Sequence, residues 1–217
     1  MNEPDDLTTR TAYNAAASNY ARDIPDRYHS TPLSHAMIPL FAELIPSGGR
    51  VADVGCGPGH VTAHLQMLGV DAFGLDLSPE MIALAQALHP ALHFETGTMN
   101  ALPVPDGTLS GVVANYSIIH TRPERLPETF AEFHRVLEPG GHVLLGFQAY
   151  DSTELAELFD HSVTPAYRYS PDRIAALLLD AGLTEIARLV IAPVEDLKRG
   201  FPQAYLLARR TPQEPAT

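Results

Sequence analysis

The sequence predicts an α/β protein built on a doubly wound, mostly parallel sheet. Three observations carry that reading. Val51-Ala52-Asp53-Val54 is a short apolar run broken by one acid, glycines follow at 55, 57 and 59, and Val61, Leu65 and Leu68 then repeat at helical spacing up to Gly69. Strand, glycine turn and helix make the first half of a nucleotide-binding βαβ unit. Val70–Leu75 is a second apolar run, ending in Asp76, one βαβ step later. Beyond it, helical and strand-like stretches alternate as far as residue 148, the pattern of a parallel sheet covered by helices.

Taken in order, residues 1–7 are polar and expected to fray, as is the tail from Thr211. Thr8–Tyr20 reads as a short helix on which Tyr13 and Tyr20, seven apart, share one face. Ile24–Pro32 is a loop with two prolines, and Leu33–Leu44 a second helix with Leu33, Met37, Leu40, Phe41 and Leu44 inward. Ser78-Pro79-Glu80 opens the helix after the second strand: Ser at the N-cap, Pro in the first turn, an acid at the positive end. Leu92–Glu95 is strand three, Asp106-Gly107 a turn, and Leu109–Ala114 strand four. Leu126, Phe130, Phe133 and Leu137 give Pro123–Leu137 an apolar helical face, and Pro139-Gly140-Gly141 turns into strand five, His142–Gln148. Asp151 and Glu154 frame a further helix start. Ser170-Pro171-Asp172 opens the next helix, which buries Ile174, Leu177, Leu178 and Ala181 and ends at Gly182. Thr184–Ala192 and Ala204–Arg209 are the last strands, paired antiparallel.

At 217 residues the chain suits one domain with a sizeable core. It divides into an N-terminal helical piece (1–48), a nucleotide-binding core (49–150) and a C-terminal part (151–210). A net charge of −12 with 14 Lys+Arg opposes nucleic-acid backbones and anionic membrane surfaces. No apolar run approaches the ~20 residues of a membrane span. The first residues are acidic, the reverse of a signal peptide, and the lone Cys56 excludes an intrachain disulfide, so a cytoplasmic protein is expected. No stretch signals an oligomeric state.

The spacing of the glycines decides what they hold. A dinucleotide fingerprint is G-x-G-x-x-G, but here His60 stands at the third required position and the pattern is G-x-G-x-G. Asp53, two residues before the first glycine, repels a pyrophosphate and suits an ammonium group. Asp76, at the end of the next strand, suits the two hydroxyls of a ribose. One cationic group and one ribose describe S-adenosylmethionine better than NAD.

Val51–His60 followed by Gly74-Leu75-Asp76-Leu77-Ser78-Pro79-Glu80-Met81 resembles the class I S-adenosylmethionine-dependent methyltransferases of the small-molecule type. Ala101–Gly107, the Asn115–His120 strand end and Arg135–Gly141 match in order and spacing, so that the resemblance runs from about Tyr13 to about Ala208. It implies a seven-stranded sheet of order 3-2-1-4-5-7-6 with strand seven antiparallel, and an N-terminal helical lid. It implies in-line transfer of a methyl group to an O, N, S or C nucleophile of a small-molecule acceptor, releasing S-adenosylhomocysteine. The cofactor-binding residues it implies are Tyr13 and Tyr20 of the lid; Asp53, Gly55, Cys56, Gly57, Pro58 and Gly59 of the turn; Asp76, Leu77, Ser78 and Met81 at the ribose and adenine; Thr98 and Met99; and Asn115 and Tyr116.

Two positions depart from that family. Thr98 stands where relatives carry an acid for the adenine amino group, and Ser110 where they often carry Asp. Several residues keep two readings. The tyrosines close a lid or pack on the core, Met81 meets adenine or fills the core, and Cys56 is a small turn residue or a reactive thiol. His120 faces the acceptor as a general base or is an ordinary structural histidine. His60 and His64 have a zinc-like spacing with no third ligand. Two other functions compete: a non-catalytic cofactor-binding or partner-regulating protein on the same fold, which the departures keep open, and an NAD-dependent oxidoreductase, which Asp53 and His60 oppose.

Overall fold

The computed structural model describes residues 6–18, 32–196 and 199–211. Residues 6–18 form helix α1. There follow α2 (Met37–Leu44), β1 (Arg50–Val54), α3 (His60–Met67), β2 (Asp71–Asp76), α4 (Pro79–Leu88), β3 (His93–Thr96), β4 (Leu109–Asn115), α5 (Leu126–Val136) and β5 (Leu137–Gln148). The C-terminal part comprises β6 (Ala156–Phe159), β7 (Ala166–Tyr169), α6 (Pro171–Asp180), β8 (Leu183–Ile191) and β9 (Gln203–Arg210).

Seven strands make one sheet in the order β3-β2-β1-β4-β5-β9-β8. The pairs from β3 to β5 are parallel, and β9 runs antiparallel to both β5 and β8. This is the expected order, with the last two expected strands now numbered β8 and β9. Alternate side chains of the central strands leave by opposite faces. Val112 and Ala114 of β4, with Val143 and Leu145 of β5, pack in one cluster with Phe130 and Phe133 of α5 and Ile174 and Leu178 of α6. Val113 and Leu144 lie in a second cluster with Ile38 and Phe41 of α2 and Leu65 of α3. Burying each such side chain is worth about 1.5–3 kcal/mol, so both faces are firmly covered.

The departures from expectation have local causes. Helix α2 begins at Met37, after a 3-10 turn over Pro32–His35, and it buries Met37, Ile38 and Phe41, leaving Leu33, Leu40 and Leu44 exposed. Tyr20 and the Ile24–Pro32 loop lie outside the described residues, save Pro32 itself. Helix α5 follows a 3-10 turn over Pro123–Arg125, and Leu137 opens β5 by pairing with Leu109. No helix forms at Asp151–Glu154. Ser152 Oγ accepts the Glu154 N–H at 3.1 Å, and the chain goes into the β6–β7 hairpin. Aromatic packing favours that outcome: Tyr169 is fully buried and donates its hydroxyl to the Thr121 carbonyl, while Phe159 sets its ring edge-on to Phe201 at 5.4 Å. Ser110 has a structural role as well, donating from within the core to Glu138 at 2.6 Å.

Candidate active site

In the strand order, β1 and β4 mark the point where the sheet changes winding direction, and ligands of such sheets bind beyond the strand ends there. A cavity of about 820 Å³ opens at that place, within the size range of small-molecule sites. The glycine turn forms its floor. Gly55 N–H donates to the Leu75 carbonyl at 2.7 Å, and Gly57 N–H donates to Asp76 Oδ2 at 2.9 Å, so the turn is bonded to the end of β2.

The glycines serve different ends. A Cβ on Gly55 would lie 2.2 Å from that of Ser117, and its φ of +72 is in the left-handed region. Gly59, with φ +83, meets the Phe94 ring at 2.6 Å in the same test. It is not among the residues that border the cavity, and glycine there lets the start of α3 sit close to Phe94 of β3 and to His89. A Cβ on Gly57 would meet open space on the cavity side.

Asp53 is buried, and its Oδ2 accepts the Thr62 hydroxyl at 2.6 Å. Burial is the main force on it and pushes its pKa up to about 7 against the pull of Thr62. Among the described residues no basic side chain bonds it. An acid held in a cavity wall without a cation fits a cationic ligand, so the residues present suit the ammonium and sulfonium of S-adenosylmethionine. Asp76 accepts from Gly57 N–H and, through Oδ1 at 2.8 Å, from Ser78 N–H. Desolvation raises its pKa, and these backbone bonds oppose the rise. Its carboxylate is thereby aimed at the cavity mouth between β2 and α4.

Cys56, Pro58, Leu77, Ser78, Met81, Thr98, Met99, Asn115 and Tyr116 all line this cavity. Met81 is also fully buried, so it serves core and cavity wall together. The Cys56 thiol packs against Ile82, Ala85 and Phe94, and burial with the nearby Asp53 and Asp76 carboxylates raises its pKa further. That is an inert thiol. His64 sets its ring against His35 and His60 against His89, at 5.7 and 5.8 Å, and no group of three metal-ligating side chains occurs among the described residues.

Helix α1 lies across the mouth. Tyr13 lines the cavity and its hydroxyl bonds His120 Nε2 at 2.8 Å. His120 Nδ1 donates to the Pro165 carbonyl at 3.2 Å, and this fixes the tautomer with a lone pair on Nε2. Burial holds His120 neutral, with a pKa lowered to about 4. Asn14 Oδ1 accepts the Ser78 hydroxyl at 2.7 Å, and Asp6 pairs with Arg125 at 3.5 Å. Tyr116 takes φ 55, in the left-handed region, where its hydroxyl accepts from Tyr205 at 3.0 Å.

Sequence reasoning left many of the lining residues unnamed, among them Ser117, Gln148, Arg10 and Arg199. Ser117 Oγ and Gln148 Oε1 are buried without a hydrogen-bond partner and border the cavity. Arg10 and Arg199 border it from α1 and from the loop before β9. Gln148 ends strand five in the sequence, so the rule that ligands sit beyond strand ends was the signal available for it. The same rule marks Ser117, just beyond the end of β4, whereas Arg10 and Arg199 have no local mark.

Asp53, next to the end of β1, and Asp76, at the end of β2, stand on either side of the glycine turn. A family model described as methyltransferase domain matches residues 51–141. Malonyl-(acyl-carrier protein) O-methyltransferase of Erwinia billingiae is 38% identical over 105 residues, 48% of this chain and 41% of that protein. Demethylmenaquinone methyltransferase of Chlorobaculum parvum is 36% identical over 93 residues, 42% of this chain and 38% of that protein. The chain thus spans about two fifths of the length of these curated relatives. The crystal structure of the Burkholderia thailandensis 1,6-didemethyltoxoflavin-N1-methyltransferase, with 1,6-didemethyltoxoflavin and S-adenosylhomocysteine bound, superposes with a TM-score of 0.74 at 20% identity, covering 97% of this chain and 92% of that one. Magnesium protoporphyrin IX methyltransferase of Synechocystis, with S-adenosylmethionine bound, gives 0.74 at 18%, covering 97% and 99%. Over residues 51–141 the chain is thus similar in sequence to methyltransferase domains, and as a whole it shares the fold of these solved methyltransferases.

Proposed function

We propose that this protein transfers a methyl group from S-adenosylmethionine to a small-molecule acceptor. The observation that carries the reading is the pair Asp53 and Asp76. They stand at or next to the ends of adjacent parallel strands, flank one glycine turn and border one cavity. Bound there, S-adenosylmethionine supplies a methyl group made electrophilic by its sulfonium. Asp53 receives the ammonium, Asp76 the ribose hydroxyls, and Leu77 and Met81 the adenine faces. Asn115, Tyr116 and Ser117, at the end of β4, hold the methionine part.

The acceptor enters the other half of the cavity, bordered by His120, Gln148, His161, Arg199 and Gln203. His120 acts there as a latch for α1. Its one lone pair is taken by Tyr13, and a pKa of about 4 makes it a poor base near neutrality. Catalysis is then mostly positioning and exclusion of water, which a helix across the mouth favours. The names of the relatives support small molecules and acyl-carrier-bound acids as acceptors. No helix among the described residues is long and apolar enough to cross a membrane, and the single cysteine supports a reducing, cytoplasmic setting.

The test is calorimetric titration with S-adenosylmethionine, S-adenosylhomocysteine and NADH, followed by a methyl-release screen over hydroxy, carboxy, amino and thiol acceptors. Micromolar binding of the first two and turnover of at least one acceptor are expected. Binding of NADH alone would overturn the reading, and tight binding with no turnover across the screen would favour a non-catalytic role.

A further inference from the structure

Thr62, in the first turn of α3, is fully buried, and Asp53 of β1 is buried with it. A hydroxyl withdrawn from water is kept where it has a partner. Here the partner is the Asp53 carboxylate: Thr62 Oγ1 donates to Oδ2 at 2.6 Å, the short length of a bond to a charged oxygen. Across the sheet Asp53 lies beside Gly74 of β2 and Val113 of β4, whose side chains offer it nothing polar. The titratable groups that act on it are themselves acidic. Asp76 on β2 repels its charge, and the Cys56 thiol of the turn is held neutral. His60, at the start of α3, borders the same cavity, and among the described residues no basic side chain bonds Asp53. Burial thus drives Asp53 towards the neutral acid, and the opposing pull comes from Thr62, through its hydroxyl and its backbone N–H. A neutral carboxyl is a weak partner for an ammonium, an ionised and aligned one a strong partner.

We propose that Thr62 is a positioning residue for the cofactor: its hydroxyl keeps the Asp53 carboxylate ionised and aligned for the ligand's ammonium group near neutral pH. The inference rests on the proposed seating of S-adenosylmethionine. It adds that a residue outside the cavity wall governs how tightly the cofactor is held. Only the ionised carboxylate attracts the ammonium, so affinity falls as pH drops through the Asp53 pKa, which burial has raised to about 7. Removing the hydroxyl raises that pKa further and moves the fall to higher pH. Valine fills the space of threonine without the donor, which makes it the informative replacement.

Calorimetric titration of the full chain with S-adenosyl-L-homocysteine between pH 6.5 and pH 9 tests it. The proteins are wild type, Thr62→Val, Thr62→Ala as a second hydroxyl-free variant, and Thr62→Ser, with thermal melts to show that each folds. The ratio of variant to wild-type Kd is read at each pH, so that titration of the ligand's own amino group cancels. For the hydroxyl-free variants the ratio should be about tenfold or more at pH 6.5 and within about threefold at pH 9, the scale of one hydrogen bond to a charged group. Thr62→Ser keeps the hydroxyl and should restore the wild-type profile. Titrations at pH 7 in buffers of different ionisation enthalpy should find about half a proton released per ligand by wild type and about one by Thr62→Val. A ratio that stays constant across the pH range, or within about twofold of wild type throughout, overturns this inference and leaves the cofactor site standing. So does equal proton release by wild type and Thr62→Val. Failure of wild type to bind the ligand overturns both.

Discussion

Replacing Asp53 with Asn should make the ligand-free protein more stable near neutral and alkaline pH while weakening its hold on the cofactor. The carboxyl has a folded pKa raised from 3.8 to about 7, chiefly by burial, so above about pH 7 the fold retains a charge that it holds poorly. That gap amounts to about 4 kcal/mol at most, taking 1.36 kcal/mol per pH unit. Asn keeps an oxygen for the Thr62 hydroxyl but brings an amide N–H that finds no ready acceptor, which costs about 1–3 kcal/mol. The net gain expected is about 1–3 kcal/mol, or roughly 3–10 °C in Tm for a chain of this size.

The pH dependence separates this cause from others. In wild type the penalty is complete above the folded pKa of about 7, falls as pH drops because the folded state takes up a proton first, and is gone below the unfolded value of 3.8. The Asp53→Asn variant has no carboxyl at this position and so lacks that dependence. The Tm gap between variant and wild type should thus be widest near pH 8 and shrink steadily towards pH 5, read by differential scanning calorimetry without ligand. Affinity for S-adenosylhomocysteine should fall about 10–100-fold in the variant, the loss of a charged hydrogen bond. A Tm gap that stays constant from pH 5 to pH 8, or a variant less stable throughout, would show that burial does not strain Asp53 and would remove the physical basis for its role.

Other outcomes follow from the same geometry. Gly55→Ala places a Cβ 2.2 Å from that of Ser117 at a φ of +72, and calorimetry should find ligand binding abolished and the melt lowered by about 2 kcal/mol or more. Cys56 should resist alkylation by iodoacetamide in the native protein at pH 8 and react on unfolding in urea, since burial and two nearby carboxylates raise its thiol pKa; rapid native labelling, followed by mass spectrometry, would contradict the packing described. Tyr13→Phe removes the 2.8 Å bond to His120 and should speed amide exchange in α1 while shifting Tm by about 1 kcal/mol or less. With the His120 pKa at about 4, methyl-transfer rates should show no histidine inflection between pH 6 and 8 attributable to this residue, so a pH–rate profile that loses such an inflection in His120→Gln would restore it as a base.

The cofactor half was legible in the sequence because its parts are local and periodic. Val51–Val54, the glycines and Asp76 each declare themselves within a few residues, and Ser78 capping α4 by accepting the Met81 N–H at 3.1 Å is a short-range event. Contacts between distant segments left no such mark. Gly59 looks like its two neighbours in sequence, and only the Phe94 ring, on β3, shows that it serves packing. The hairpin β6–β7 replaced an expected helix because aromatic rings at Phe159 and Tyr169 found partners at Phe201 and Phe147, long-range choices that a capping pattern at Asp151–Glu154 does not reveal. Ser117 and Gln148 matter through the partners they lack, a property that exists only once the chain is folded.

Helix α1 is fastened by adjacent residues to opposite halves of the cavity. Tyr13 reaches His120, in the 3-10 turn after β4 and on the proposed acceptor side, whereas Asn14 reaches Ser78, at the start of α4 on the proposed cofactor side. On the proposed seating one short helix therefore adjoins both occupants. Whichever ligand arrives first and braces the helix bears the entropic cost of ordering it, and the second finds that order already in place. On the proposed seating, affinity for the acceptor would in this way be linked to occupancy of the cofactor half without any contact between the two molecules. By the reciprocity of linkage the acceptor would then strengthen the cofactor to the same degree.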